Sequence, residues 1–368
     1  MAQLMHHFAT QNPSTEFVAV SPVNGKIPNV QNMAVNLGGI SRLRSRITSN
    51  RFVRAVGGSM LAESSIAYQR ARKSMLLLTE KSDEQTIVIC LTFTATLLAR
   101  QILPKAKLIY WIHSLPRLGQ EYMAFRAVNA ADIVAVPSNA IYLELFKLIC
   151  RNKFTAPVWV IPNCVDQEQF KKISPERCQN VRRRLGLSEN DLAIIHVGRA
   201  PEKGLQIVEL ALLLCRFNQR NIVLVAVGGQ TCGRRRLSKH AEILETGRVT
   251  PQELNEIYQA CDLGVVPSVW WENCPLALLE MMSLGLCPLA SRVGGIPEMI
   301  EDGRNGLLVD APNDVAAWAR AIDSALTDDD LRQRLGHEAS KSTEARFGTK
   351  QYTDNWLRLL NTVVPQLN

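Results

Sequence analysis

Two carboxylates separated by seven residues, Glu272 and Glu280, stand in the stretch Pro267-Ser-Val-Trp-Trp-Glu-Asn-Cys-Pro-Leu-Ala-Leu-Leu-Glu280. An apolar run ends before it and a helical apolar pattern opens at Pro275, so a strand, a tight polar turn and a helix are predicted there in that order. Bare N–H groups at a helix start, with the positive end of the helix dipole behind them, favour an anion such as phosphate. That makes Asn273, Cys274, Pro275 and Leu276 a candidate anion-binding segment. Glu280, about two helical turns in, would repel the same anion. It can instead accept hydrogen bonds from two neighbouring hydroxyls, as a ribose or a hexose presents them. The plainer alternative, a surface carboxylate at Glu280 and a cap at Glu272, stays open on spacing alone.

A second group lies in Val197-Gly-Arg199-Ala-Pro-Glu-Lys203-Gly204, where a strand runs into a loop with Arg199 and Lys203 four apart, and a glycine then opens a helix. Two fixed cations of this kind can hold a diphosphate and offset the charge on a leaving nucleotide. The stretch is neither a G-x4-G-K-[ST] loop nor a G-x-G-x-x-G fingerprint. A third candidate is His113 in Tyr110-Trp-Ile-His-Ser114, at the carboxyl end of a predicted strand, where open α/β sheets place ligands. A lone histidine reads first as a structural residue, as does the tandem Trp270-Trp271, which is expected to pack into its surroundings. Arg42, Arg44, Arg46, Arg51 and Arg54 are interleaved with Leu43, Ile47, Phe52 and Val53. That pattern suits an amphipathic element on anionic lipid and an exposed basic loop equally well.

The elements that must position these residues alternate short β-branched runs with helical stretches, the pattern of α/β folds with parallel sheets. Before the joint, Leu4, Met5 and Phe8 mark a helix and residues 17–20 a strand, and residues 22–80 do not parse. Strands follow at 86–91, 108–112, 133–136 and 158–161, with helices at 94–102 and 140–150. A polar, basic segment, 166–190, separates these from a second alternating block. That block has strands at 192–197, 222–227, 263–266 and 288–291 and helices at 205–217, after Thr250, from Pro275 and towards the end of the chain. Thr250-Pro-Gln-Glu253 combines an N-cap threonine, a proline at the first helical position and a glutamate three residues on. Asp328-Asp-Asp330 is expected to serve a helix N-terminus, not a metal.

The chain of 368 residues is long enough for two domains, and 46% apolar with 21% charged residues excludes a disordered or low-complexity chain. Its net charge of +8 is unevenly placed: residues 1–166 hold 18 basic against 9 acidic residues, so the excess sits in the first half. That fits a half facing an anionic surface or acceptor; a nucleic-acid partner would rest on charge alone and no recognition motif supports it. The nine cysteines form no CxxC pair and sit mostly in apolar runs, the usage of a reducing compartment. No signal peptide is evident, and the apolar stretch 87–99 is too short for a span of about 20 residues. The reading is cytoplasmic, with peripheral contact on the inner face of a membrane.

The glutamate pair in its strand-turn-helix context resembles the retaining GT-B glycosyltransferases, in particular glycosyltransferase family four. Gly294-Gly-Ile-Pro-Glu298, Asp302-Gly-Arg-Asn-Gly306 and Ile161-Pro-Asn-Cys-Val-Asp166 match further segments of that family. The resemblance implies GT-B architecture, with two Rossmann-like domains facing across a cleft: an acceptor domain over residues 1–168, joined by a returning helix at 347–368, and a nucleotide-sugar domain over 169–346. It implies that Glu272 contacts the transferred sugar and Glu280 the ribose, with Arg199 and Lys203 on the diphosphate. Asn273, Cys274, Pro275 and Leu276 bind the donor, and Val249 in Gly247-Arg-Val249 lies in the nucleobase-facing loop. His113 faces the donor sugar. The family's spacing between the two cations is five, where this chain has four.

The activity implied is retaining transfer of a hexose from a nucleoside diphosphate sugar, UDP or GDP rather than ADP, to a hydroxyl of a glycan or glycolipid. It needs no metal and no separate cofactor, and polysaccharide biosynthesis is the expected setting. The family's first strand and glycine-rich loop are expected to be missing, because Met1 already reads as the following helix. That departure and the shortened Arg199–Lys203 spacing sustain a rival reading, a non-catalytic nucleotide-sugar-binding protein that is N-terminally incomplete.

Overall fold

The computed structural model describes residues 18–21, 31–34, 87–116, 119–149, 155–215 and 220–363. It divides into two compact units. One takes the chain up to Val136, Glu144–Trp159 and the chain from Leu359; the other takes Pro137–Leu143 and Val160–Arg358. The chain crosses between the units at 136/137, 143/144, 159/160 and 358/359, where the sequence suggests limits at 168/169 and 346/347. The helix around Leu4 to Phe8, the basic run from Arg42 to Arg54, and the segment where a first strand would be missing lie outside the described residues.

In the first unit, β1 (Val18–Ser21) and β2 (Gln31–Ala34) pair in parallel. A second sheet has the order β3 (Ile87–Cys90), β4 (Lys107–Trp111), β5 (Ile133–Val136), β6 (Val158–Val160), and its β3–β4 and β4–β5 pairs are parallel. Leu108, Ile109, Tyr110 and Trp111 of β4 are all buried, as expected of a parallel strand covered on both faces. Helices α1 (Phe93–Ile102) and α2 (Glu121–Ala130) accompany these strands, as does the part of α3 (Asn139–Ile149) from Glu144 on. Thr92 caps α1 by accepting from the Ala95 N–H at 3.1 Å.

The second unit is built on seven strands: β7 (Leu192–Val197), β8 (Ile222–Val227), β9 (Cys232–Arg236), β10 (Ala241–Gly247), β11 (Leu263–Val266), β12 (Pro288–Ser291) and β13 (Leu307–Val309). Their order is β13-β12-β11-β7-β8-β10-β9, parallel throughout except for β9 against β10. Successive side chains go to opposite faces of the sheet: Ile195, Val223 and Val225 join one buried cluster, Ile194, Leu224 and Val265 the other. The helices are α4 (Pro175–Arg184), α5 (Leu205–Leu214), α6 (Pro251–Gln259), α7 (Leu276–Ser283), α8 (Ile296–Met299), α9 (Val315–Thr327), α10 (Asp329–Phe347) and α11 (Thr349–Val363).

The capping box at Thr250 forms as its sequence predicts, with Thr250 Oγ1 accepting from the Glu253 N–H at 3.2 Å and the Glu253 carboxylate accepting from the Thr250 N–H at 2.7 Å. Asp328 likewise caps α10 through the Leu331 N–H at 2.8 Å. Several elements were not expected, β2, β13 and α8 among them. α4 occupies the basic segment, α2 follows β4, and a β9–β10 hairpin fills the stretch after β8. No disulfide joins the described cysteines. Among the described residues no helix is long and apolar enough to cross a membrane.

Candidate functional site

The chain enters the second sheet at β7, adds β8 and β10 on one side, and then returns to the other side of β7 with β11. The order reverses between β7 and β11, and the carboxyl ends of strands at such a reversal are where open α/β sheets bind ligands. The loop after β7 carries Arg199 and Lys203, and the loop after β11 carries Glu272. The two loops are fitted to one another through backbone. Gly204 has φ +74, and a Cβ there would stand 1.8 Å from the Pro267 carbonyl oxygen. The Val269 N–H donates to the Glu202 carbonyl at 2.9 Å.

Lys203 ends a 3-10 turn over Pro201–Lys203. Its ammonium lies 2.5 Å from Glu272 Oε1, and Ser268 Oγ donates to the same oxygen at 2.5 Å. Lys203 and Ser268 thus meet on one oxygen of Glu272. Arg199 is exposed and has no partner among the described residues, so its guanidinium stays available to a ligand.

The turn that carries Glu272 is held from behind by Gly294 and Gly295. The Gly295 N–H donates to the Glu272 carbonyl at 2.7 Å. A Cβ on Gly294 (φ +53) would come within 2.0 Å of that carbonyl oxygen, and one on Gly295 within 2.0 Å of the Asn273 carbonyl oxygen. Asn273 Oδ1 accepts from the Trp271 indole at 2.9 Å, and the Cys274 carbonyl accepts from Asn163 Nδ2 at 2.8 Å. Trp270, expected to pack, is instead 70% exposed.

α7 begins at Leu276, with Pro275 as its cap. Glu280 is thus little more than one turn in, not two, since four residues span about 6 Å of helix. Pro275 has no N–H to offer a ligand; Leu276 and Ala277 contribute the first donors that have no partner within their own helix.

Glu280 faces a neighbour that sequence reasoning missed. The Tyr258 hydroxyl of α6 donates to Glu280 Oε2 at 2.8 Å. Burial raises the pKa of the Glu280 carboxyl, and the Tyr258 hydrogen bond pulls it back down. Val249, half-buried, precedes α6 and packs against the same core cluster.

A second missed residue is His196 on β7, almost wholly buried. Its Nε2 lies 3.1 Å from the Lys203 carbonyl, an acceptor, so Nε2 carries the proton and holds the turn that presents Lys203. Burial lowers the His196 pKa to about 4, which keeps the ring neutral. His196 sits in an apolar strand and Tyr258 on the buried face of an amphipathic helix, where a histidine or tyrosine reads as core, and only their contacts reveal them.

His113 belongs to the first unit, two residues past β4. It is exposed and lies 4.2 Å from Trp111, ring to ring. It borders a small pocket of that unit shared with Tyr110, Ser114 and Gln120, and desolvation there lowers its pKa. Among the described residues no group of three or more His, Cys, Asp or Glu stands together as a metal site would require.

Residues 179–342 match the family model described as Glycosyl transferases group 1. A D-inositol 3-phosphate glycosyltransferase of Corynebacterium jeikeium is 32% identical over 252 residues, which is 65% of this chain and 59% of that protein. The chain spans about half to three fifths of the length of the curated relatives it matches. Anabaena HepE in complex with UDP-glucose superposes with a TM-score of 0.70 at 19% identity, covering 98% of this chain and 95% of that one. Sucrose-phosphate synthase from Thermosynechococcus elongatus superposes with a TM-score of 0.70 at 18% identity, covering 99% and 92%. Likeness at such identity concerns the fold, which is the α/β fold of the GT-B structures.

Proposed function

We propose, from the match of residues 179–342 to the group 1 glycosyltransferase model, that the chain transfers a hexose from a nucleoside diphosphate sugar to a hydroxyl of a glycan or glycolipid, with retention of configuration. The observation that carries this reading is the convergence of Lys203 and Ser268 on Glu272 at the switch point of the second sheet, with the N-terminus of α7 beside them.

In this reading the diphosphate lies against Arg199, Lys203 and the first N–H groups of α7, Leu276 foremost. Fixed cations and oriented dipoles there stabilise the charge that builds up on the leaving phosphate. The protein's own groups take this part without a metal ion or separate cofactor. Glu280 accepts from the ribose hydroxyls, and the loop at Val249 meets the base. Glu272 accepts from hydroxyls of the transferred hexose while Ser268 and Lys203 keep its carboxylate oriented.

The acceptor hydroxyl attacks the anomeric carbon from the face the phosphate leaves. The new C–O bond forms as the bond to the phosphate oxygen breaks, and the acceptor's proton passes to that oxygen. His113 is the first unit's candidate contact with the reacting sugar. UDP or GDP is the proposed carrier, and the UDP-glucose bound by HepE fits the former. An acceptor in polysaccharide assembly and peripheral contact with an anionic membrane complete the proposal.

The test is nucleotide release from UDP- and GDP-hexoses in the presence of glycan and glycolipid acceptors, with the product anomer read by NMR. Transfer with retention that Glu272→Ala abolishes is the expected result. Nucleotide binding without transfer to any acceptor would favour the non-catalytic binding protein.

A further inference from the structure

Tyr258 is the eighth residue of α6, and its side chain is fully buried. Packing leaves its ring one position. Phe170 meets it edge-on at 6.3 Å, and α6 is anchored along its length by the capping box at Thr250, the Arg177–Glu256 ion pair at 2.6 Å, and the bond from the Ile173 N–H to Gln259 at 3.0 Å. The hydroxyl therefore projects from a fixed platform. It reaches Glu280 Oε2 at 2.8 Å, with the Ala277 carbonyl at 3.4 Å.

Burial and the adjacent carboxylate hold the phenol protonated far above its ordinary range, so Tyr258 is always the donor in this pair. A carboxylate bound through one oxygen cannot turn freely about its last torsion. With Oε2 tied to the core, Oε1 keeps its full acceptor capacity for a ligand.

We propose that Tyr258 is a positioning residue for nucleotide recognition: it clamps the Glu280 carboxylate in the orientation that meets the neighbouring hydroxyls of a ribose. The proposal rests on the reading above that gives Glu280 the ribose. It says that the ribose contact is pre-oriented from the core, and that one oxygen atom on α6, which touches no ligand, sets how well ribose is told from its deoxygenated analogue.

The test measures binding by the full chain of UDP, GDP and ADP and, for whichever binds, of the matching 2′,3′-dideoxynucleoside diphosphate. The wild type should prefer the ribose form. Tyr258→Phe keeps the ring and removes one donor. It should lower that preference about tenfold, the worth of one hydrogen bond to a charged group, while the affinity for the dideoxy form stays unchanged. The preference should also fade at a higher pH in Tyr258→Phe than in wild type, because the carboxylate has lost the bond that favours its charged form. Should Tyr258→Phe not fold, Tyr258→Met fills similar space without a donor and is measured in its place.

A preference untouched in Tyr258→Phe but abolished in Glu280→Gln would overturn the clamp and leave the ribose reading standing. Equal weakening of both nucleotide forms would show that Tyr258 merely supports the fold, and would also overturn the clamp. A wild type that binds no nucleotide, or binds both forms alike, would overturn the clamp and the ribose reading together.

Discussion

Glu280 bears a cost while no ligand is bound. Because burial raises its pKa, the native state holds the proton more tightly than the unfolded chain does. Stability from this group is fully present below the ordinary carboxylate range and is lost as pH rises through the raised value. Glu280→Gln should therefore raise the melting temperature of the ligand-free chain at pH 7, and the gain should vanish in acid, where the wild-type carboxyl is neutral. Thermal melts from pH 4 to 7 check this.

His196 works in the other direction. Its native pKa of about 4 lies below the ordinary 6.5, so its contribution is intact above pH 6.5 and is lost as the unfolded chain takes up the proton that the native state refuses. The loss should approach about 3 kcal/mol by pH 4. Urea melts should show that slope, flattened in His196→Gln.

Lys203→Met removes the cation from a Glu272 side chain only 11% exposed, whereas Lys203 itself is 37% exposed. A destabilisation of about 1–2 kcal/mol is expected, less than for a fully buried pair. Nucleoside diphosphate binding should weaken at least tenfold, as calorimetry can measure. Glu272, Glu280 and Lys203 were legible in the sequence because their spacing is tied to a strand-turn-helix grammar. Tyr258 and His196 were not, since nothing in the buried face of a helix or in an apolar strand distinguishes a polar atom that touches a site from one that touches backbone.

At the scale of elements, the site is a meeting of three loops whose fit depends on glycine. Gly294→Ala would drive a Cβ into the Glu272 carbonyl from a backbone with positive φ, and Gly204→Ala would do the same to Pro267. Each should destabilise by about 2–4 kcal/mol through strain and overpacking. Denaturant titration gives the loss, and nucleotide binding should fall with it because the turn bearing Glu272 must shift. The strands β7, β8, β11 and β12 were legible as β-branched runs closing on polar turns. β9 was not, because all its side chains are exposed and its three arginines leave no alternation to read. α4 hid in the basic segment for a similar reason: of its ten residues only Val181 is buried. Helix lengths erred where an apolar run outlasted the helix, as in α5, which stops at Leu214 where the pattern ran to 217.

For the molecule as a whole, the second unit accounts for the donor half of the proposed reaction by itself, since every donor residue inferred from the sequence falls within it. The α/β class and the presence of two alternating blocks were legible from the periodicity of apolar runs. Two of the crossings between units, at Trp159 and Val160 and at Arg358 and Leu359, lie inside a strand and inside a helix. Neither has a change of composition to mark it.

The central claim, a nucleoside diphosphate held by the second unit, is tested most directly by the thermal stability of the full chain with UDP, GDP, ADP and their hexose conjugates. Wild type, Glu280→Ala and Lys203→Met are compared side by side. A ligand at about 100 times its Kd stabilises by about 2.7 kcal/mol, enough to register as a shift in melting temperature. The expected result is a shift with one nucleotide that is lost or sharply reduced in both variants. A folded chain that responds to no nucleotide, or a shift equally large in Glu280→Ala and Lys203→Met, would contradict the donor site.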